Sequence, residues 1–312
     1  MKYDLFSFFF DSRQRIVNWS KVEKIDAPSP IQIDLLALYL VEDKRKGRKK
    51  LGEIIKSGRL TKDLKFHSEQ LSRLGLKTSH IELTKLPHGS HVIQITFRLK
   101  KPYISLDDES FYIIDNPLVK DTVFKAPIVR SSTWKGALRW VVRYALDRSG
   151  ILVRRLFGNE KEAGSTKQGR LIFYTTFLDQ VSLDVITPLG RETRTPRRGP
   201  IPFEIAPIGA IGTFSLLYFP FDLLQTLRRG DSTGKTRAMD EIKEDLETLK
   251  EAVPLMLTTY GFAAKKTSGY GITEDKLQEI KINGQTKMNG SVKDFQEMMK
   301  KEIEKLERVR VE

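Results

Sequence analysis

The sequence predicts an α+β protein. The first observation is the order of hydrophobic periods from residue 91 onward. Residues 91–101 alternate as a strand does, 132–156 repeat at helical spacing, 169–177 and 211–220 are again strand-like, and 235–257 form a second helical run ahead of a glycine-rich loop and a last strand. Strand, helix, strand, strand, helix, strand suits a split β-α-β, ferredoxin-like domain with loop insertions. The second observation is composition: 39% hydrophobic and 30% charged residues mark a globular chain. The third is length. With 312 residues the chain can bury a sizeable core in one or two domains. We divide it into an accessory N-terminal region (1–90), the ferredoxin-like core (91–275) and a C-terminal strand/helix extension (276–312).

Taken in order, residues 1–14 (MKYDLFSFFFDSRQ) are apolar but broken by Asp4 and Asp11. They lack the charge order of a signal peptide and read as a buried strand. Residues 31–41 are apolar and suit a short helix or strand. Residues 44–50 (KRKGRKK) are a dense basic block, read as a loop that is either solvated or in contact with phosphate. Residues 51–76 are helical by the spacing of Leu51, Ile54, Ile55, Leu71 and Leu74. The first core strand carries Val92, Ile93, Ile95, Phe97 and Leu99, and a long, acid-rich loop (102–129) follows. In the helix of 132–156, Trp134, Leu138, Val141 and Ala145 share one face, and Lys135, Arg139 and Arg143 form a basic stripe at i, i+4, i+8. Between the two later strands, Arg191, Arg194, Arg197 and Arg198 stand among prolines; this is either a plain surface loop or an arginine-rich phosphate contact. Met239, Ile242, Leu246, Leu249 and Val253 define the second helix, and residues 291–308 a last one.

Charge and residue usage narrow the function. Fifty-four basic against 40 acidic residues give a net charge of +14. Such an excess calls for an anionic partner, nucleic acid being the commonest, although a basic, ion-pair-rich protein has the same balance. There are no cysteines, hence no disulfide framework, thiolate zinc site or thiol nucleophile. No apolar run reaches transmembrane length, so we expect an intracellular, cytoplasmic protein with no membrane partner. Residues 230–236 (GDSTGKT) imitate a phosphate loop, but only three residues separate the glycines and the preceding LLQTLRR reads as helix, which excludes nucleotide hydrolysis. All four histidines, His67, His80, His88 and His91, precede the acidic loop, and no paired metal-ligand spacing occurs.

Residues 114–139 (IDNPLVKDTVFKAPIVRSSTWKGALR) carry the most chemistry. An acidic loop with Asp115 and Asp121 precedes a helix whose first turns hold Ser131, Ser132, Lys135, Gly136 and Arg139. Hydroxyls, unsatisfied N–H groups and the positive helix end together suit an anion. Far downstream, residues 261–271 (GFAAKKTSGYG) form a loop whose Gly261, Gly269 and Gly271 let the backbone approach a phosphate while Lys265 and Lys266 add charge; a tight turn is the plainer reading.

The two motifs, in this order, resemble the RAMP superfamily, and within it the backbone-type subunits of type III CRISPR effector complexes. The likeness rests on Ile114, Asp115, Pro117, Lys120, Asp121, Pro127, Ser131, Ser132, Lys135, Gly136 and Arg139, with the glycine loop, and spans roughly residues 91–275. It implies an RRM-like RAMP domain that binds CRISPR guide RNA and meets target RNA, assembled with other RAMP subunits and a large polymerase-like subunit in an antiviral ribonucleoprotein. It also implies that Asp115 is catalytic, supporting target cleavage as a ligand for Mg2+ or Mn2+, with phosphate and water supplying the remaining oxygens. Asp121 is assigned structure first; Asp107 and Asp108 are weaker second ligands. Two departures stand out: residues 101–106 (KPYISL) replace the family's usual Gly-Ser or His-φ-Gly segment, and the N-terminal region has no counterpart. Three other readings stay open: a non-catalytic structural or capping subunit, a guide-processing endoribonuclease using histidine, and an unrelated basic RNA-binding module.

Overall fold

The computed structural model describes residues 10–11, 16–17, 29–74, 81–107, 112–159, 167–187, 195 and 201–309. The chain forms two compact units that interleave along the sequence instead of following one another. One comprises Met1–Gln70, Ile104–Pro127 and Asp179–Pro207; the other comprises Leu71–Tyr103, Ile128–Leu178 and Ile208–Glu312.

The larger unit contains β1 (His91–Arg98), α1 (Ser131–Trp140), α2 (Gly150–Phe157), β2 (Leu171–Phe173), β3 (Ile211–Tyr218), α3 (Ser232–Leu255), β4 (Lys276–Ile282), β5 (Gln285–Ser291) and α4 (Val292–Val309). Its sheet runs β5-β4-β1-β3-β2, with every neighbouring pair antiparallel. Without the added edge strand β5, this is the expected α+β arrangement of split β-α-β units, spatial order 4-1-3-2. Strand periodicity explains β1. Ile93, Ile95 and Phe97 are fully buried, while Gln94 and Thr96 point the other way and lie opposite Ser215 and Thr213 of β3. Trp134, Phe97, Phe214 and Phe262 form the aromatic centre, with Trp134 4.9 Å from Phe214 and 4.2 Å from Phe262, centroid to centroid. The Trp134 indole N–H donates to Thr176 Oγ1 at 3.0 Å.

An ion network ties this unit's elements. Arg170 is 2% exposed and donates to Asp222, Glu241 and Asp245; Asp245 also accepts from Arg155 and from the Tyr218 hydroxyl at 2.8 Å each. Burial pushes the Asp245 carboxyl up, against the pull of the two guanidiniums.

The single helix expected over 132–156 is in fact two. α1 ends at Trp140 and continues as one π-helical turn, Val141–Ala145. The chain reverses at Asp147, whose φ is +49°, and Ser149 caps α2 by accepting from the Leu152 N–H. The apolar period runs unbroken through this region, so it hid the Asp-Arg-Ser-Gly turn signal. Residues 230–236 are a helix start: Asp231 Oδ1 accepts from the Gly234 N–H at 2.8 Å, and the helix Leu224–Arg229 precedes them where a phosphate loop needs a strand.

In the smaller unit, residues 44–50 are not a loop. They open the helix Lys44–Lys56, capped by Asp43, which accepts from the N–H groups of Arg45 and Lys46. An antiparallel hairpin pairs Ser182–Ile186 with Ile201–Ile205; it was not anticipated, because Pro202 and the flanking arginines and prolines read as loop. Arg191, Arg194, Arg197 and Arg198 lie outside the described residues, as do Asp108 and most of the N-terminal segment read as a strand. Among the described residues no helix is long and apolar enough to cross a membrane.

Candidate nucleic-acid interface

In the larger unit the structure brings the glycine loop onto α1, the helical part of the first motif. The glycine loop docks on α1: the Phe262 ring meets Trp134, and Tyr260 lies 5.1 Å from Trp140. The Lys266 ammonium sits over the Trp140 ring, 5.6 Å from its centroid. The loop is closed by its own backbone, Phe262 N–H donating to the Gly271 carbonyl and Gly271 N–H to the Pro102 carbonyl at 2.7 Å. Gly261, Gly269, Gly271 and Lys265 all have positive φ, so the turn itself accounts for these glycines.

α1 begins at Ser131 with Arg130 as its N-cap, and no side chain caps it. Ser131 and Ser132 therefore occupy its first turn and do not close it. Ser132 and Gly136 are exposed, and Ser131, Lys135 and Arg139 half-buried. Burial, with the neighbouring Arg139 charge, holds the Lys135 ammonium below its usual range, and burial does the same to Lys266. Both shifts mark cations that an incoming anion would stabilise. A Cβ added at Gly136 meets nothing within 4 Å, so the protein's own packing does not require glycine there.

In the smaller unit, Asp115 is held outward by a buried staple. Glu204, on the hairpin strand Ile201–Ile205, has a carboxylate with no exposed surface; it accepts from the Tyr112 hydroxyl (2.5 Å), the Lys120 ammonium (2.6 Å) and the Leu118 N–H (3.0 Å). Ile113 and Ile114 are buried beside it, leaving Asp115 exposed at 56% of its side chain. Lys44 donates to Asp115 Oδ1 at 2.5 Å and Arg48 to Oδ2 at 2.7 Å. The Lys44 hydrogen bond, aided by both positive charges, holds the Asp115 carboxyl below the usual carboxylate range. Gly47 makes this possible, since a Cβ there would lie 2.6 Å from the Ile113 side chain and push the basic helix away. Asp121 is structural, as expected: its Oδ1 accepts from the N–H groups of Val123 and Phe124.

Among the described residues no three His, Cys, Asp or Glu side chains gather as a metal site. Asp115 alone fits a divalent ion as one exposed carboxylate, provided phosphate and water complete the shell. His91 is buried, its Nδ1 3.0 Å from the Gly89 carbonyl, and burial lowers its pKa.

Sequence reasoning missed the Asp115 partners Lys44 and Arg48, and the exposed Trp140 and Tyr144. The spacing of the basic block did hold the first signal, with cations at i and i+4 on one face. Nothing local pointed them at Asp115.

Comparison with known proteins agrees with the motifs. The sequence matches the family model of the RAMP superfamily over residues 54–274. It is 27% identical over 205 residues to a Streptococcus thermophilus protein named CRISPR system Cms endoribonuclease Csm3, covering 61% of this chain and 86% of that one. Among solved structures, a chain from the cryo-EM structure of the Type III-B Cmr-beta bound to cognate target RNA aligns with a TM-score of 0.48 at 13% identity, over 85% of this chain and 94% of that chain. A chain of a CRISPR RNA-guided surveillance complex aligns with a TM-score of 0.39 at 20% identity, over 62% and 68%. The docked motifs on a split β-α-β core and a family match over most of the sequence lead to one conclusion: the chain belongs to the RAMP superfamily.

Proposed function

We propose that the protein is a guide-RNA-binding subunit of a type III CRISPR ribonucleoprotein and that it cleaves target RNA at Asp115. The observation that carries the RNA-binding reading is the docking of the glycine loop on α1, which gathers Lys135, Arg139 and Lys266 on one unit. The relative named Csm3, described as an endoribonuclease, supports the cleavage reading. Its partners are guide RNA, target RNA, other RAMP subunits and the large polymerase-like subunit. Specificity lies in base pairing, and the protein contacts backbone. The arginines at 191, 194, 197 and 198 belong to the same proposal as further phosphate contacts.

Mechanistically, Asp115 is the acceptor for the attacking 2′-hydroxyl proton or the protein's one ligand to Mg2+ or Mn2+, which when bound would polarise the scissile phosphate. Lys44 and Arg48 neutralise Asp115 in the free protein. A phosphate arriving beside them offers both cations a better partner, because charge-assisted contacts to phosphate are short and, for arginine, bidentate. Transfer of the cations to the phosphate leaves the carboxylate available at the reacting atoms.

The test is Asp115→Ala in the assembled complex with Mn2+. Target cleavage is lost while guide binding stays within about threefold, as expected when only an interaction in the transition state is removed. Cutting at every position by that variant rules out the catalytic assignment. A structural or capping subunit is the second reading, favoured by the saturation of both Asp115 oxygens; it predicts no cleavage by wild-type protein either.

A further inference from the structure

Trp140 and Tyr144 are large aromatic side chains left open to solvent, 40% and 61% exposed. Their rings lie 6.0 Å apart across the π-helical turn that follows α1. Single π turns are rare and concentrate at functional positions. Tyr260, the last residue before the glycine loop, backs Trp140, and a cation lies over each exposed ring: Lys266 over Trp140 and the Arg143 guanidinium 5.3 Å over Tyr144. Trp140 directly follows Arg139, which places the rings one residue's rotation around the helix from the basic stripe.

Two flat faces flanked by positive charge select a ligand that is itself flat and anionic. A hydrophobic partner would desolvate both cations while offering them no anion of its own, which is expensive. A single-stranded nucleotide meets both demands: stacking on aromatic faces holds bases regardless of sequence, and the cations take the adjoining phosphates.

We propose that the Trp140–Tyr144 shelf stacks an unpaired base of the RNA strand whose phosphates meet Lys135 and Arg139. This rests on the RNA-binding reading above and adds a base contact to it. Aromatic-base stacking contributes enough for alanine substitution to weaken binding about tenfold.

The experiment compares the full-length protein's affinity for labelled oligouridine of roughly 20 nucleotides with that for an abasic ribose-phosphate polymer of equal length, at one salt concentration. Wild type should prefer oligouridine. Trp140→Ala should bind oligouridine about tenfold more weakly and the abasic polymer unchanged, while Trp140→Phe stays within about twofold. Thermal melts of both variants check folding, which the exposure of Trp140 favours. If Trp140→Ala and Tyr144→Ala bind oligouridine like wild type while Lys135→Ala/Arg139→Ala loses both polymers, the shelf is wrong and RNA binding stands. If wild type binds neither polymer, RNA binding falls and takes the shelf with it. If Trp140→Ala changes only self-association in sedimentation, the shelf faces another protein chain and the proposal is overturned.

Discussion

Gly136→Ala should push stability and RNA affinity in opposite directions. Gly136 sits inside α1, exposed, and a methyl group there meets no other atom within 4 Å. Glycine inside a helix is about 1 kcal/mol less favourable than alanine, because it surrenders more backbone freedom on folding. With no clash to offset it, the substitution should recover most of that figure and raise the melting temperature by roughly 2–3 °C for a domain of this size. If an RNA backbone lies against this face, the same methyl separates a phosphate from α1 and disrupts a charge-assisted hydrogen bond, of order 1.5–3 kcal/mol or at least tenfold in affinity. Thermal denaturation followed by circular dichroism measures the first effect, and filter binding to guide RNA at fixed salt the second. A lower melting temperature would mean that the space around Gly136 is not open. A higher one with unchanged affinity would mean that no phosphate approaches there, and the helix start would lose its place in the interface.

Three other outcomes follow from the charges. Arg170→Ala leaves Asp222, Glu241 and Asp245 without their shared guanidinium and should destabilise the larger unit by about 3–5 kcal/mol in guanidinium chloride titrations; a loss below about 1 kcal/mol would show the network to be incidental. Glu204→Ala removes the acceptor for Tyr112, Lys120 and the Leu118 N–H, so amides of residues 112–120 should exchange faster and stability fall by roughly 3 kcal/mol; unchanged exchange refutes the staple. Asp115→Ala at neutral pH should cost about 1 kcal/mol or less, since the ion pairs are exposed. The folded Asp115 carboxyl titrates below its unfolded value, so this contribution is complete above the ordinary carboxylate pKa of about 4 and disappears as pH falls through the folded value. Melting curves of wild type and variant should therefore converge at acid pH and at high salt; a gap that widens there contradicts the pairing.

What could be read from the sequence was local in character. β1, β3 and α3 announce themselves by period, because each buries one face or stripe against a single core. The order of elements then fixes the split β-α-β frame. The basic block reads as loop although Asp43 is a good N-cap and Leu51 continues a helical stripe, because six cations among seven residues dominate any propensity estimate. The break between α1 and α2 was hidden because Val141 and Val142 keep the apolar period through the π turn. Trp140 and Tyr144 carry no signal of their own, because the helical period picks out Trp134, Leu138, Val141 and Ala145 as the apolar face. The contacts of Asp115 were beyond reach: Lys44 and Arg48 come from another segment altogether, and only the seating of Gly47 on Ile113 brings them to it.

That contact also explains how a strongly basic helix can exist. Lys44, Arg45 and Lys46 occupy the first turn of their helix, where the aligned peptide dipoles already present positive charge, and no acidic residue stands in that turn. Three devices offset the repulsion: the Asp43 cap, the Asp115 carboxylate on Lys44 and Arg48, and the Tyr39 ring, which faces Lys46 and Lys50 at 5.6 Å each. None saturates the charge, so the helix start keeps an appetite for anions. An RNA phosphate satisfies the same need as Asp115 and does so with more oxygens. In the proposed complex the two would compete for the same cations, and little holds the cations back because an exposed ion pair is worth about 1 kcal/mol or less. An acid held this loosely, on a loop fixed this firmly by Glu204, can be displaced without the loop moving. A catalytic carboxylate in the proposed complex has to meet that requirement, whereas a purely structural ion pair has no need of it.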